Sequence, residues 1–201
     1  MTTAIATTHP SQSWLLLVLR LRTFVALILV LAYFSVMAPN FLSAANAVIV
    51  SKHVALNAFL AIGMTFVIIT GGIDLSVGSI VGLCAMVAGW LVLNGVDTGL
   101  GWTVWFNTWE IVGITLLVGI AVGFINGLLI TRLNVAPFIA TLGTLYIARG
   151  AALLSSDGRT FPNLGGTEEF GTASFPFIGS GSVLGLPVMI WLLVGVALGA
   201  H

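Results

Sequence analysis

The chain has 201 residues, of which 59% are hydrophobic and only 6% charged. A soluble domain usually carries about a quarter charged residues, so this composition excludes a water-facing surface. Six basic and six acidic side chains give a net charge of zero, which offers nucleic acid no basic patch.

The apolar positions come in long runs, not in alternating or one-faced patterns. That predicts an all-α, polytopic transmembrane helical protein of about six spans. Residues 1–13 are polar and threonine-rich and read as a cytoplasmic tail; Arg20 and Arg22 then precede an apolar run over 23–38. A cleaved leader shares those features, but the tail is long and no small-x-small site follows. We read 1–22 as the tail and the start of the first span, and 23–201 as one transmembrane domain.

"PNFLSAAN" (39–46) breaks the helix. A second span runs from about 53 to 70 and stops at Gly71 and Gly72; a third runs from about 75 to 93. The loop 94–110 carries Trp102, Trp105, Phe106 and Trp109, rings that favour the headgroup level. A fourth span covers about 111–130, "TRLN" (131–134) makes a tight turn, and a fifth covers about 137–154. Residues 155–186 are the one long polar segment, with seven glycines, and a sixth span follows. That last span is barely complete at His201, so the chain is expected to be part of a longer protein.

Starting inside, six spans put Arg20, Arg22 and Arg132 in the cytoplasm, as the positive-inside rule prefers. Lys52 and Arg159 then fall outside with Asp97, Asp157, Glu168 and Glu169, and 155–186 becomes a periplasmic loop.

Little points to bond chemistry. Cys84 sits in an apolar run as a small packing residue. His9, His53 and His201 lack ligand spacing, so no metal is expected. Lys52 follows no glycine-rich loop, which leaves no phosphate cradle for ATP. No cofactor is implied.

The exception to the apolar monotony is "ITGGIDLSVGSIVG" (69–82). A carboxylate at membrane depth costs several kcal/mol unless it faces protein or water. The physical reading is a broken helix: Gly71 and Gly72 end the second span, and Asp74 or Ser76 caps the third. Asp74, Ser76 and Ser79 then either line a solute path or serve an ordinary turn. Gly78 and Gly82, four apart, would admit a neighbouring helix closely. Thr115, Gly119, Gly123 and Gly127 make a similar packing face on the fourth span, with Asn126 beside it. Asn126 could bond across helices or contact solute. The Thr141 and Thr144 hydroxyls either bond back to their own helix or meet a solute in transit. Arg149 follows a long uncharged run and either snorkels to the outer interface or pairs with an acid such as Asp157.

"GMTFVIITGGIDLSVGSIVGL" (63–83) resembles the signature segment of ribose/xylose-type permeases of bacterial ABC sugar importers. "NVAPFIATLGTLYIARGAALL" (134–154) resembles the second recognisable block of that family, and "SDGRTFPN" is similar in placement. The likeness runs from about Phe24 onward. It implies an inner-membrane permease, not an enzyme, that imports a pentose or hexose by alternating access. The implied partners are a second permease copy, an ATP-binding-cassette ATPase and a periplasmic sugar-binding protein, for which Glu168 and Glu169 are candidate docking residues. Family members continue past this end, with further spans and a loop that touches the ATPase. An ion-coupled secondary transporter using Asp74 is the main alternative; a non-transporting scaffold is a third.

Overall fold

The computed structural model of the chain describes residues 10–162 and 164–199, with side chains from Leu21 on. The first nine residues of the expected tail lie outside the described residues. The chain divides into two compact units, 1–50 and 51–201.

The first unit holds α1 (Pro10–Met37) and the opening turns of α2 (Ala44–Ile69). Helix therefore begins inside the segment expected to be tail. Pro10 at the first helical position suits this, since its missing N–H has no helical partner to lose. The break after α1 is tighter than the 39–46 expected. The Ser43 hydroxyl accepts the Asn46 N–H at 3.2 Å and so caps α2, while the Asn46 amide donates to the Phe41 carbonyl at 2.7 Å. Phe34 stacks on Phe41 across this turn, with ring centroids 6.0 Å apart.

The second unit is built on α3 (Val77–Asn94), α4 (Thr108–Thr131) and α5 (Pro137–Ser155), with α3 packed against both of the others. Among the described residues, α2, α3, α4 and α5 are long and apolar enough to cross a membrane. The expected first span falls within α1, apolar over Leu21–Met37, and the expected sixth within α7 (Val188–Gly199). Large side chains such as Leu117, Ile120, Phe124 and Ile147 are more than 60% exposed. In water that surface would be untenable; in lipid it is the ordinary outer face of a helix.

The buried apolar core sits at the end of the unit where α3 finishes and α4 begins. Leu91, Val92 and the fully buried Ile111 form its centre, with Phe106, Leu164 and Phe175 packed on it. Two of those flanking residues come from the long polar segment, which is therefore not a loose connector. It contains α6 (Phe175–Ser180) and a short antiparallel pair, β3 (Ser182–Val183) with β4 (Leu186–Pro187). It is pinned to the start of α4, where the Thr108 N–H and hydroxyl both reach the Gly171 carbonyl at 3.2 Å. The Ser174 hydroxyl donates to Thr108 at 3.0 Å, and Lys52 of α2 donates to the Ser180 carbonyl at 3.2 Å.

The aromatic loop 94–110 is also structured, by pairing of β1 (Val96–Asp97) with β2 (Thr103–Val104). Its rings divide between two tasks. Trp102 and Trp109 are exposed, as an interface position requires, but Phe106 joins the core and Trp105 stacks flat on Phe170 at 3.8 Å. Two ring systems in parallel contact bury more apolar area than either would at a headgroup.

The start of α4 carries a complete capping box. Asn107 Oδ1 accepts the N–H groups of Trp109 (3.0 Å) and Glu110 (3.1 Å), and Glu110 Oε2 accepts the Asn107 N–H at 2.8 Å. Asn107→Ala is expected to cost about 1 kcal/mol. A lowered thermal midpoint in detergent, recovered by Asn107→Asp, would match; an unchanged midpoint would deny the cap any stabilising role.

Candidate functional site

Helix α2 ends in a Schellman closure. Gly72 N–H bonds to the Val67 carbonyl and Gly71 N–H to the Ile68 carbonyl, both at 2.9 Å. Gly71 takes the left-handed backbone (φ 75) that this closure needs and that glycine adopts without a steric penalty. Helix resumes only at Val77, so the break read from the glycines is present. The irregular backbone between the two helices runs beside α5, where the Thr141 hydroxyl lies 3.3 Å from the Ile73 carbonyl and 2.8 Å from that of Pro137.

Neither expected cap works as drawn. Ser76 is the residue before α3, but its hydroxyl makes no capping bond to the helix. Asp74 Oδ1 instead accepts both the Ser76 N–H (2.7 Å) and the Ser76 O–H (2.6 Å), just outside the helix. The serine proton is drawn to the nearer and charged acceptor.

That leaves the Ser76 oxygen free to accept. The Asn126 amide of α4 donates to it at 3.0 Å, and the Thr144 hydroxyl of α5 donates to Asn126 Oδ1. Thr144 also lies 3.1 Å from its own Ala140 carbonyl. The result is a one-way chain of donors, Thr144 to Asn126 to Ser76 to Asp74, joining α5 and α4 to the break before α3 and ending on a carboxylate. Bonds aligned in this sense polarise one another. Ser76 is fully buried, and Asn126 (5% exposed), Thr141 (2%) and Thr144 (8%) are nearly so.

The chain lies well inside the helix ends. Thr144 is two turns into α5, about 10 Å at 1.5 Å per residue. Ser76, at the break, is level with Asn126, which stands five residues before the end of α4, about 7 Å of helix.

A cavity of about 370 Å³ opens against the break. Gly72, Ile73, Asp74, Gly123, Asn126 and Thr141 are among its walls. Asp74 lines it, and its second carboxylate oxygen makes no hydrogen bond to a described residue.

Five of the six residues expected on a solute path, Asp74, Ser76, Asn126, Thr141 and Thr144, therefore meet at one place. Ser79 does not join them; it is half-buried in the first turn of α3, outside the donor chain. The expected packing glycines behave differently. A methyl group at Gly119 would touch Cys84 Sγ at 3.5 Å, an ordinary contact. At Gly78, Gly82, Gly123 and Gly127 it would meet nothing within 4 Å. Gly123 and Gly127 line the cavity. Cys84 is a packing residue that donates to the Thr115 carbonyl at 3.4 Å. Arg149 is exposed and forms no ion pair with Asp157. Glu168 and Glu169 are exposed at the tip of the turn that precedes Gly171.

The Ile73 carbonyl had no sequence signal of its own. A break in a buried helix always strands carbonyls, so a threonine on a facing helix was the available clue.

Residues 46–200 match the family of branched-chain amino acid transport system permease components. A ribose import permease protein of Haemophilus influenzae is 36% identical over 174 residues, 86% of this chain and 49% of that relative. The ribose import permease protein of Bacillus subtilis is 38% identical over 169 residues, 84% of this chain and 48% of its own. An autoinducer 2 import system permease protein of Photorhabdus luminescens is 37% identical over 175 residues, 86% of this chain and 49% of that protein. No solved structure matches the chain. The chain belongs to this permease family, and it spans about half the length of the curated relatives it matches.

Proposed function

We propose that this chain forms the substrate-path half of a permease in an ATP-binding-cassette importer that moves a monosaccharide, a pentose or hexose, into the cytoplasm. The observation that carries this reading is the helix break whose polar groups are tied into one buried donor chain beside a cavity. Irregular backbone at membrane depth survives only where it lines a cavity or is buried in protein. Hydroxyl and amide groups offer an uncharged polyol weak, multiple contacts, which suits a solute that must also leave. The names of the relatives, ribose import and autoinducer 2 import, favour the same solute class.

The chain itself performs no bond chemistry in this reading. Its partners are an ATP-binding-cassette ATPase, a periplasmic sugar-binding protein and a second permease copy. It lies in the bacterial inner membrane with its N-terminus and the α4–α5 turn at Arg132 in the cytoplasm. The segment 155–186 then faces the periplasm, with Glu168 and Glu169 free for the binding protein.

Uptake of labelled pentoses and hexoses, compared with and without the gene, tests this. Gene-dependent uptake is expected to fall at least tenfold on ATP depletion and to survive collapse of the ion gradient. Uptake that follows the gradient would overturn the importer reading and make Asp74, in the cavity wall, the coupling carboxylate.

A further inference from the structure

A second cavity lies at the opposite end of the helices from the break, where α3 and α5 finish. It has a volume of about 330 Å³, within the roughly 300–1,000 Å³ of small-molecule sites. Trp90 and Asn94 of α3 line it, with Ser155 of α5 and Asp157 and Arg159 of the segment that follows.

The local backbone is built to hold these groups apart. After α5 the chain reverses through two left-handed residues, Asp157 (φ 56) and Gly158 (φ 72). Bonds from Gly158 N–H to Leu153 (2.8 Å) and from Arg159 N–H to Ser156 (3.0 Å) lock the turn. A left-handed aspartate is uncommon outside such constrained positions. The segment is then pressed onto α3 through Phe161, so closely that a methyl group at Gly89 would sit 2.6 Å from its ring.

The chemistry is uncommitted. The side chains of Trp90, Asn94, Asp157 and Arg159 make no hydrogen bond or ion pair to any described residue. An acid and a base share one small cavity and do not pair. Together the four offer an indole face, a carboxylate acceptor, an amide that both donates and accepts, and a planar fork of donors. One acid against one base leaves no net charge to select an ion. A neutral ring with an apolar face and a rim of hydroxyls uses every one of these features.

We propose that this cavity is a monosaccharide subsite at the periplasmic mouth, separate from the polar chain at the helix break. It would hold the sugar between its release from the binding protein and its passage inward. Its ligand class rests on the importer reading given above.

The test uses the full-length transporter in phosphatidylcholine nanodiscs, with D-ribose and D-xylose as probes in saturation-transfer NMR. Sugar signals are expected for the unaltered protein. Trp90→Ala, Asp157→Asn and Arg159→Gln should each reduce them at least threefold, and Trp109→Ala, exposed in the first turn of α4, should not. Asp157 and Arg159 are exposed, so their variants are expected to fold even if that at Trp90 does not. Signals that none of the three site variants alters would overturn the proposal. So would a sugar signal displaced when phosphatidylethanolamine is added, since its primary ammonium, unlike the choline already present, can donate hydrogen bonds to the acid while its phosphate meets the base. Uptake by the same variants reconstituted into sealed liposomes with the ATPase and the binding protein separates the two readings. Sugar uptake without a site-dependent signal refutes only the subsite, whereas absence of ATP-driven uptake refutes the importer reading.

Discussion

Asn126→Asp is expected to abolish uptake and to lower the thermal midpoint further than Asn126→Ala does. The Asn126 amide is the one group in the chain that donates on one side, to Ser76, and accepts on the other, from Thr144. An ionised carboxylate keeps the bond from Thr144 but has nothing to give Ser76. The Ser76 proton is already committed to Asp74, 2.6 Å away, so two oxygens would face each other without a hydrogen. A second carboxylate would also come close to Asp74 at a position only 5% exposed. A charge of this kind at membrane depth costs about 2.5–3.5 kcal/mol on insertion scales, and the lost donor adds about 1–3 kcal/mol. The alanine variant removes both bonds and adds no charge, so its cost stays near the second figure. Thermal unfolding in detergent together with uptake assays orders the two. An aspartate variant as stable and active as the alanine one would show that the amide does not donate to Ser76, and would remove the one-way chain as the centre of the site.

Gly166→Ala should open the structured segment 155–186 while leaving the helices in place. Gly166 is left-handed (φ 66), and a methyl group there would fall 2.1 Å from the Thr172 carbonyl oxygen. The left-handed backbone alone costs alanine about 1–2 kcal/mol. The collision is with backbone, so no side-chain rotation relieves it. The Thr172 hydroxyl, which is 2.8 Å from the Thr167 N–H and fully buried, would be pulled away with it. The Trp105–Phe170 stack and the bonds from Thr108 to Gly171 depend on the same turn. Limited proteolysis is expected to cut within 164–172 at least tenfold faster than in the unaltered protein, with the circular-dichroism helix signal unchanged. Unaltered cleavage would mean that the segment is held by its contacts with Phe175 and Leu164 alone. Loss of the helical signal would show that it is needed for the bundle to form.

Much of this was open to reading from the residues. The long apolar runs required helices, because a backbone in lipid must satisfy its own hydrogen bonds. The paired glycines at 71 and 72 required a break. The hydroxyl and amide residues in "GIDLSVGS", at Asn126 and at Thr141 and Thr144 were legible as candidates because polar groups among so many apolar ones are expensive to place. The small residues were legible only as a possibility. Glycines at every fourth position state that a helix can come close, but whether one does depends on the neighbour, and Gly123 and Gly127 turn out to face a cavity. The glycines with the closest neighbours, Gly89 against Phe161, Gly95 against Val104, Gly166 against Thr172 and Gly181 against Phe177, lie outside that repeat.

The sequence by itself determined the class of protein: an all-α chain for a bilayer, with a carboxylate at a helix break and a family likeness in two blocks. Those are local properties, set by composition, by glycine's backbone freedom and by the hydrogen-bonding needs of a chain without water. Only the tertiary structure decided which polar groups meet. Ser76, Asn126 and Thr144 are 50 and 18 residues apart along the chain, and their union depends on how three helices are rotated and staggered against one another. No local pattern encodes that stagger, because it is chosen by the packing of all three helices at once.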